Sequence, residues 1–109
     1  MKVYISGMIS NCPNYMDNFL KAEQELRNKG YDDVINPARV MANFPPNTRY
    51  LEYMVMSLRL LDECDVIYML DNFYNSYGAR VEYLYAKSQG KEVVFQNGEV
   101  NESQEVSEY

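Results

Sequence analysis

At 109 residues and 12.8 kDa, the chain has room for one domain with a single core but not for a separate substrate domain, so a pocket closed on all sides calls for a second subunit. Its 47 % hydrophobic and 24 % charged residues are those of a globular protein, and the lack of a bilayer-length apolar run or a cleavable signal pattern predicts a cytoplasmic protein with no membrane partner. The net charge is −6, but Glu99, Glu102, Glu105 and Glu108 leave ten basic against twelve acidic residues before them, and a body so near neutrality lacks the basic surface that a nucleic-acid partner requires.

The run KVYIS, residues 2–6, is β-branched and aromatic, ends at Gly7 and predicts a first strand. Pro13 suits a first helical turn, Tyr15, Phe19, Ala22 and Leu26 recur at helical spacing, and Lys29-Gly30 supplies the stop. DVIN, residues 33–36, predicts a second strand ended by Pro37, and PARVMANFPPN, residues 37–47, a loop long enough to cover a site. From Thr48 to Glu63 a helix is expected, with Leu51, Met54, Val55, Leu58 and Leu61 as its apolar stripe. DVIYML, residues 65–70, predicts a buried strand, DNFYNS, residues 71–76, a loop, YGARVEYLYAKSQGK, residues 77–91, a helix, and EVVF, residues 92–95, a last strand.

Strands alternating with helices imply an α/β domain with a parallel sheet of four to five strands, the first strand central and beside DVIYML. The domain is expected over residues 1–96. Residues 97–109, rich in Asn, Ser, Gln and Glu, are expected to form an acidic, flexible tail. Cys12 and Cys64 have no paired spacing, so reduced thiols are expected and neither a disulfide nor a zinc site.

The chain has no histidine, which removes His-dependent triads and His acid–base chemistry and leaves carboxylates, Tyr, Ser and Lys to carry any catalysis. Parallel sheets open their ligand crevice at the carboxyl ends of the strands. Glu82, in the helix after DVIYML and expected in its first turn, is placed there. Its helical face holds Gly78, Ala79, Tyr85 and Ala86, small and aromatic rather than charged, so the carboxylate is expected to be partly desolvated and fit to act as a nucleophile. The plain alternative is an acid that complements the helix dipole.

The loop SGMISN, residues 6–11, offers backbone N–H groups to a phosphate or sugar hydroxyl, or is an ordinary turn in which Gly7 supplies backbone freedom. Ser76 suits a helix cap as well as a ligand contact. Arg80 suits an anionic ligand or an exposed ion pair. Asp65, at a strand start, reads as a turn or cap residue.

Four segments in order, KVYISG, KGYDDVINPA, LLDECDVIYML and SYGARVEYLYAKSQGK, resemble the nucleoside 2-deoxyribosyltransferase-like superfamily, and within it the small DUF4406 branch, over residues 2–95. The resemblance implies a flavodoxin-like, Rossmann-like three-layer fold and an enzyme that cleaves or exchanges the N-glycosidic bond of a nucleoside or nucleoside monophosphate. It places Glu82 as the nucleophile, Tyr4 as its contact, and Ser6 and Gly7 in the sugar or phosphate loop; the residues themselves add Ser76, Gly78 and Arg80 as candidate substrate-binding positions. No cofactor is required by that chemistry and no metal is expected, while a homo-oligomer is. The sequence departs from the pattern at Ser57, where the branch carries an aspartate, and at Ser76, where the transferases carry another, which leaves the acid for the leaving base unassigned. A non-catalytic nucleotide-binding protein using the same crevice is the alternative.

Overall fold

The structure is a computed structural model in which residues 1–98 are described, so the expected tail falls almost wholly outside the described residues. Four strands, β1 (Lys2–Ser6), β2 (Asp33–Ile35), β3 (Val66–Met69) and β4 (Glu92–Phe95), alternate with helices α1 (Tyr15–Asn28), α2 (Pro37–Met41), α3 (Tyr50–Asp62) and α4 (Tyr77–Ser88). The sheet is all parallel in the order β2-β1-β3-β4, with Tyr4 in register with Ile35 on one side and Ile67 on the other. This is an α/β three-layer fold of flavodoxin type, with β1 and β3 as the inner strands.

Because successive strand residues face opposite sides of a sheet, the inner strands divide their side chains between two cores. Val3, Ile5, Val66 and Tyr68 pack with Phe19, Ala22 and Leu26 of α1. Tyr4, Ile67 and Met69 pack with Leu61 of α3 and with Ala79, Tyr83 and Ala86 of α4. The near-continuous apolar runs of β1 and β3 follow from burial on both faces. The same parity puts Ser6 on the α4 side with Tyr4.

The loop expected over residues 37–47 begins instead as α2. Pro37 starts a helix there rather than ending structure, because its missing N–H costs nothing in a first turn and the Asn36 side chain accepts from Ala38 N at 3.1 Å. Buried Glu23 of α1 ties this region together, accepting from Asn36 Nδ2 at 3.2 Å, Arg39 Nε at 3.0 Å and Arg27 Nε at 3.1 Å. Burial opposes the Glu23 anion, but these donors prevail and hold its carboxyl below the usual range.

Asp65 is structural, as its position suggested: its Oδ2 accepts from Lys2 N at 3.0 Å and its carbonyl from Glu92 N at 3.1 Å, joining the starts of β1 and β4. Lys91 Nζ donates to the Asp62 and Cys64 carbonyls at 3.0 and 2.7 Å, satisfying carbonyls at the end of α3. The apolar stripe expected on α3 divides. Leu61 is buried, Met54 and Leu58 are half-buried, and Leu51 and Val55 stand 62 % and 52 % exposed. The buried ridge passes through Ser57, a polar residue that hydrophobic spacing overlooks.

Candidate active site

A cleft of about 530 Å³ opens where the chain leaves the carboxyl ends of β1 and β3, at the point where the strand order reverses. Its walls are the loop after β1, from Gly7 to Asn11, the start of α4 and one side of α3. Two constraints shape the first wall. A β-carbon on Gly7 would lie 2.6 Å from Leu70 Cδ1, so the chain passes Leu70 closely only because no side chain is there. Met8 N donates to Asn72 Oδ1 at 3.1 Å, joining this loop to the one after β3.

Glu82 forms part of the cleft lining and is nevertheless buried. Its Oε2 accepts from Tyr4 Oη and its Oε1 from Ser6 Oγ, each at 2.6 Å. Both lengths fall in the range of a hydroxyl donating to a carboxylate. Burial raises the Glu82 carboxyl above its usual value, and the Ser6, Tyr4 and Ser57 hydroxyls oppose that rise. Tyr4, fully buried beneath, is pushed well above the ordinary phenol value by burial and by the adjacent carboxylate, so it remains a donor. Ser57 Oγ donates to Met54 O at 3.1 Å.

Glu82 lies in the second turn of α4, not the first, because the helix starts at Tyr77. The helix terminus therefore contributes less to its ionisation than the two hydroxyls do, since the dipole effect fades beyond the first turn. Ser76 caps α4, its Oγ accepting from Ala79 N at 3.2 Å, and also lines the cleft. Gly78 lines it too. Arg80 does not: it is exposed and two residues from Glu82, which at 3.6 residues per turn is close to the opposite side of the helix. Tyr85, expected on the Glu82 face, donates instead to Asp62 Oδ1 at 2.5 Å.

The structure thus brings Tyr4, Ser6, Gly7, Ser76, Gly78 and Glu82 to one place and leaves Arg80 outside it. Sequence reasoning missed the aromatic and thioether wall that includes Tyr15, Met41, Tyr50, Tyr53 and Met54. The helical period of α3 would have put Tyr50, Met54 and Ser57 on one side had the polar and apolar members been read together. Chemically, a carboxyl held by two hydroxyls at the floor of a largely uncharged cleft is, in its ionised form, equipped to attack an electrophilic carbon.

Cys64 is a buried free thiol pushed up to about 11 by burial, and Cys12, half-buried, is also free. No helix among the described residues is long and apolar enough to cross a membrane. No curated protein matches the chain. The profile of a domain of unknown function, DUF4406, matches residues 1–95, and with that span the chain belongs to the DUF4406 family.

Proposed function

We propose that the protein is an N-glycosidase or deoxyribosyltransferase of the nucleoside 2-deoxyribosyltransferase-like kind, acting on a nucleoside or nucleoside monophosphate. The observation that carries this reading is the Tyr4–Glu82–Ser6 arrangement at the cleft floor, with both carboxylate oxygens occupied by donors at 2.6 Å. Glu82 attacks the anomeric carbon as the base leaves, and a second base or water resolves the glycosyl-enzyme. Tyr4 and Ser6 fix the carboxylate and keep it ionised despite its burial, so its orientation is set before substrate arrives. The tyrosine and methionine wall supplies flat, polarisable surface for a heteroaromatic base.

The working form is proposed to be a dimer through the outer face of α3. Leu51, Val55, Met56 and Leu60 form an apolar groove edged by Glu52, Arg59 and Glu63. An antiparallel two-fold centred between Val55 and Met56 sets Leu51 against Leu60 and Glu52 against Arg59 of a second copy, which makes the face self-complementary.

The test of the activity is incubation with a panel of nucleosides and monophosphates, with and without an acceptor base, read by mass spectrometry. Free base means hydrolysis and exchanged base means transfer. Saturable binding without turnover would instead establish a nucleotide-binding protein, a reading favoured by the lack of any carboxylate except Glu82 among the described residues of the cleft lining.

A further inference from the structure

Breaking an N-glycosidic bond leaves negative charge on a base nitrogen unless a proton arrives as the bond breaks, and a placed general acid contributes roughly 10²–10⁴-fold to such a step. Glu82 is occupied as nucleophile, and the chain has no histidine. The donors remaining in the described lining are hydroxyls, phenols and carboxamides. Among the other phenols, Tyr15 packs against the core on the α1 side of the sheet, Tyr53 has its ring stacked on Phe44 at 5.1 Å between centroids, and Tyr77 stands 67 % exposed at the outer end of α4.

Tyr50 is placed differently. It begins α3 with its side chain 49 % exposed, and its hydroxyl reaches the first turn of α4, where a β-carbon on Gly78 would lie 3.1 Å from its oxygen. Gly78 and Glu82 are four apart on that helix, where Cβ positions are about 5–6 Å from each other, and helical side chains lean back toward the N-terminus. Phenol and carboxylate therefore border the same stretch of cleft from anchor points one helical turn apart, so both can face one bound sugar–base bond, as the paired groups of a retaining glycosidase do. Burial first, then the charge of Glu82, holds the Tyr50 phenol above its ordinary value, so it enters the reaction protonated.

The geometry points to Tyr50 as the residue that gives its proton to the departing base, an inference that rests on the glycosidic reading above. A Glu82 oxygen bonds the anomeric carbon, the C–N bonding pair passes to the base nitrogen, and the phenol proton joins it, leaving tyrosinate beside a neutral ester. The charge on Glu82 disappears in that step, which eases formation of the tyrosinate. In hydrolysis, water gives a proton to the tyrosinate and its oxygen to the anomeric carbon, and the ester C–O pair returns to Glu82.

The experiment compares a purine 2-deoxynucleoside with 4-nitrophenyl 2-deoxyriboside, whose phenolate leaves without a proton. Tyr50→Phe is expected to lower kcat on the nucleoside about 100-fold and on the nitrophenyl glycoside only a few-fold. Gly78→Ala, whose new β-carbon displaces the Tyr50 hydroxyl while the helix gains a better helix former, is expected to show the same pattern in weaker form. Equal losses on both substrates in Tyr50→Phe, or undiminished nucleoside turnover, would overturn the donor role and leave the Glu82 chemistry standing. If the wild-type protein turns over neither substrate, the parent reading falls and this assignment falls with it.

Discussion

Tyr4 and Glu82, 78 positions apart in the sequence, meet at 2.6 Å in the interior. The contact joins the middle of an inner strand to the second turn of α4 and aims a carboxylate into the cleft from below. A buried anion held in this way costs stability while it prepares chemistry, and its removal is informative on both counts.

Glu82→Gln keeps shape and can still accept from Tyr4 but has no anionic oxygen. Turnover is expected to fall by roughly 10⁴-fold, with ligand affinity little changed. The Glu82 carboxyl is raised in the fold, so the stability it contributes is complete below the unfolded value of a glutamate and is lost as pH rises through the folded value. The glutamine variant should therefore melt above wild type at neutral pH, with the gap closing as pH falls toward 4 (roughly the unfolded glutamate value). Melting curves across pH that show no such convergence would refute the account.

Tyr4→Phe removes one of the two short donors. A hydrogen bond to a charged group is worth about 1.5–3 kcal/mol, so kcat is expected to drop roughly 10–100-fold. With one opposing donor gone, burial raises the Glu82 carboxyl further, and the acid limb of the pH–rate profile should move to higher pH. An acid limb that stays in place would show that Tyr4 does not hold the anion.

Gly7→Ala should destabilise the protein by about 1–3 kcal/mol, the usual cost of overpacking a core. The new β-carbon meets three side-chain atoms of buried Leu70 within 2.9 Å. When it is combined with Leu70→Ala, the total loss in chemical denaturation should fall short of the sum of the two single losses, and strict additivity would place the strain elsewhere.

Neither Lys nor Arg is among the described residues lining the cleft, while Glu82 places a carboxyl group there. A 5′-phosphate gains no ion pair from these residues and, with Glu82 as the proposed anionic nucleophile, meets a like charge, so kcat/KM for a nucleoside is expected to exceed that for its monophosphate by about tenfold or more. A preference for the monophosphate would require a cation brought in by another subunit.

Val55→Glu puts a charge at the centre of the proposed α3 contact. The wild-type protein is expected to scatter light as a dimer at micromolar concentration and the variant as a monomer, with both retaining the same far-ultraviolet circular dichroism. A monomeric wild type would remove the proposed interface.

The sequence by itself determined the four strands, α1, α3 and α4 and their order, but not α2. β1 and β3 are legible because burial on both faces requires unbroken apolar runs, and α1 because its apolar residues keep the helical period. It also directed attention to Glu82, through the strand that precedes its helix. Tertiary structure decided the rest, because it depends on distances between segments that no local pattern contains. The parity of β1 sets Tyr4 and Ser6 on the α4 side, but only the packing of α4 over the inner strands makes them the partners of Glu82. The helical angle excludes Arg80 from the cleft, and the closeness of α3 to α4 at Gly78 brings Tyr50 into it. Side-chain chemistry is written residue by residue, whereas a site exists only where separate elements converge.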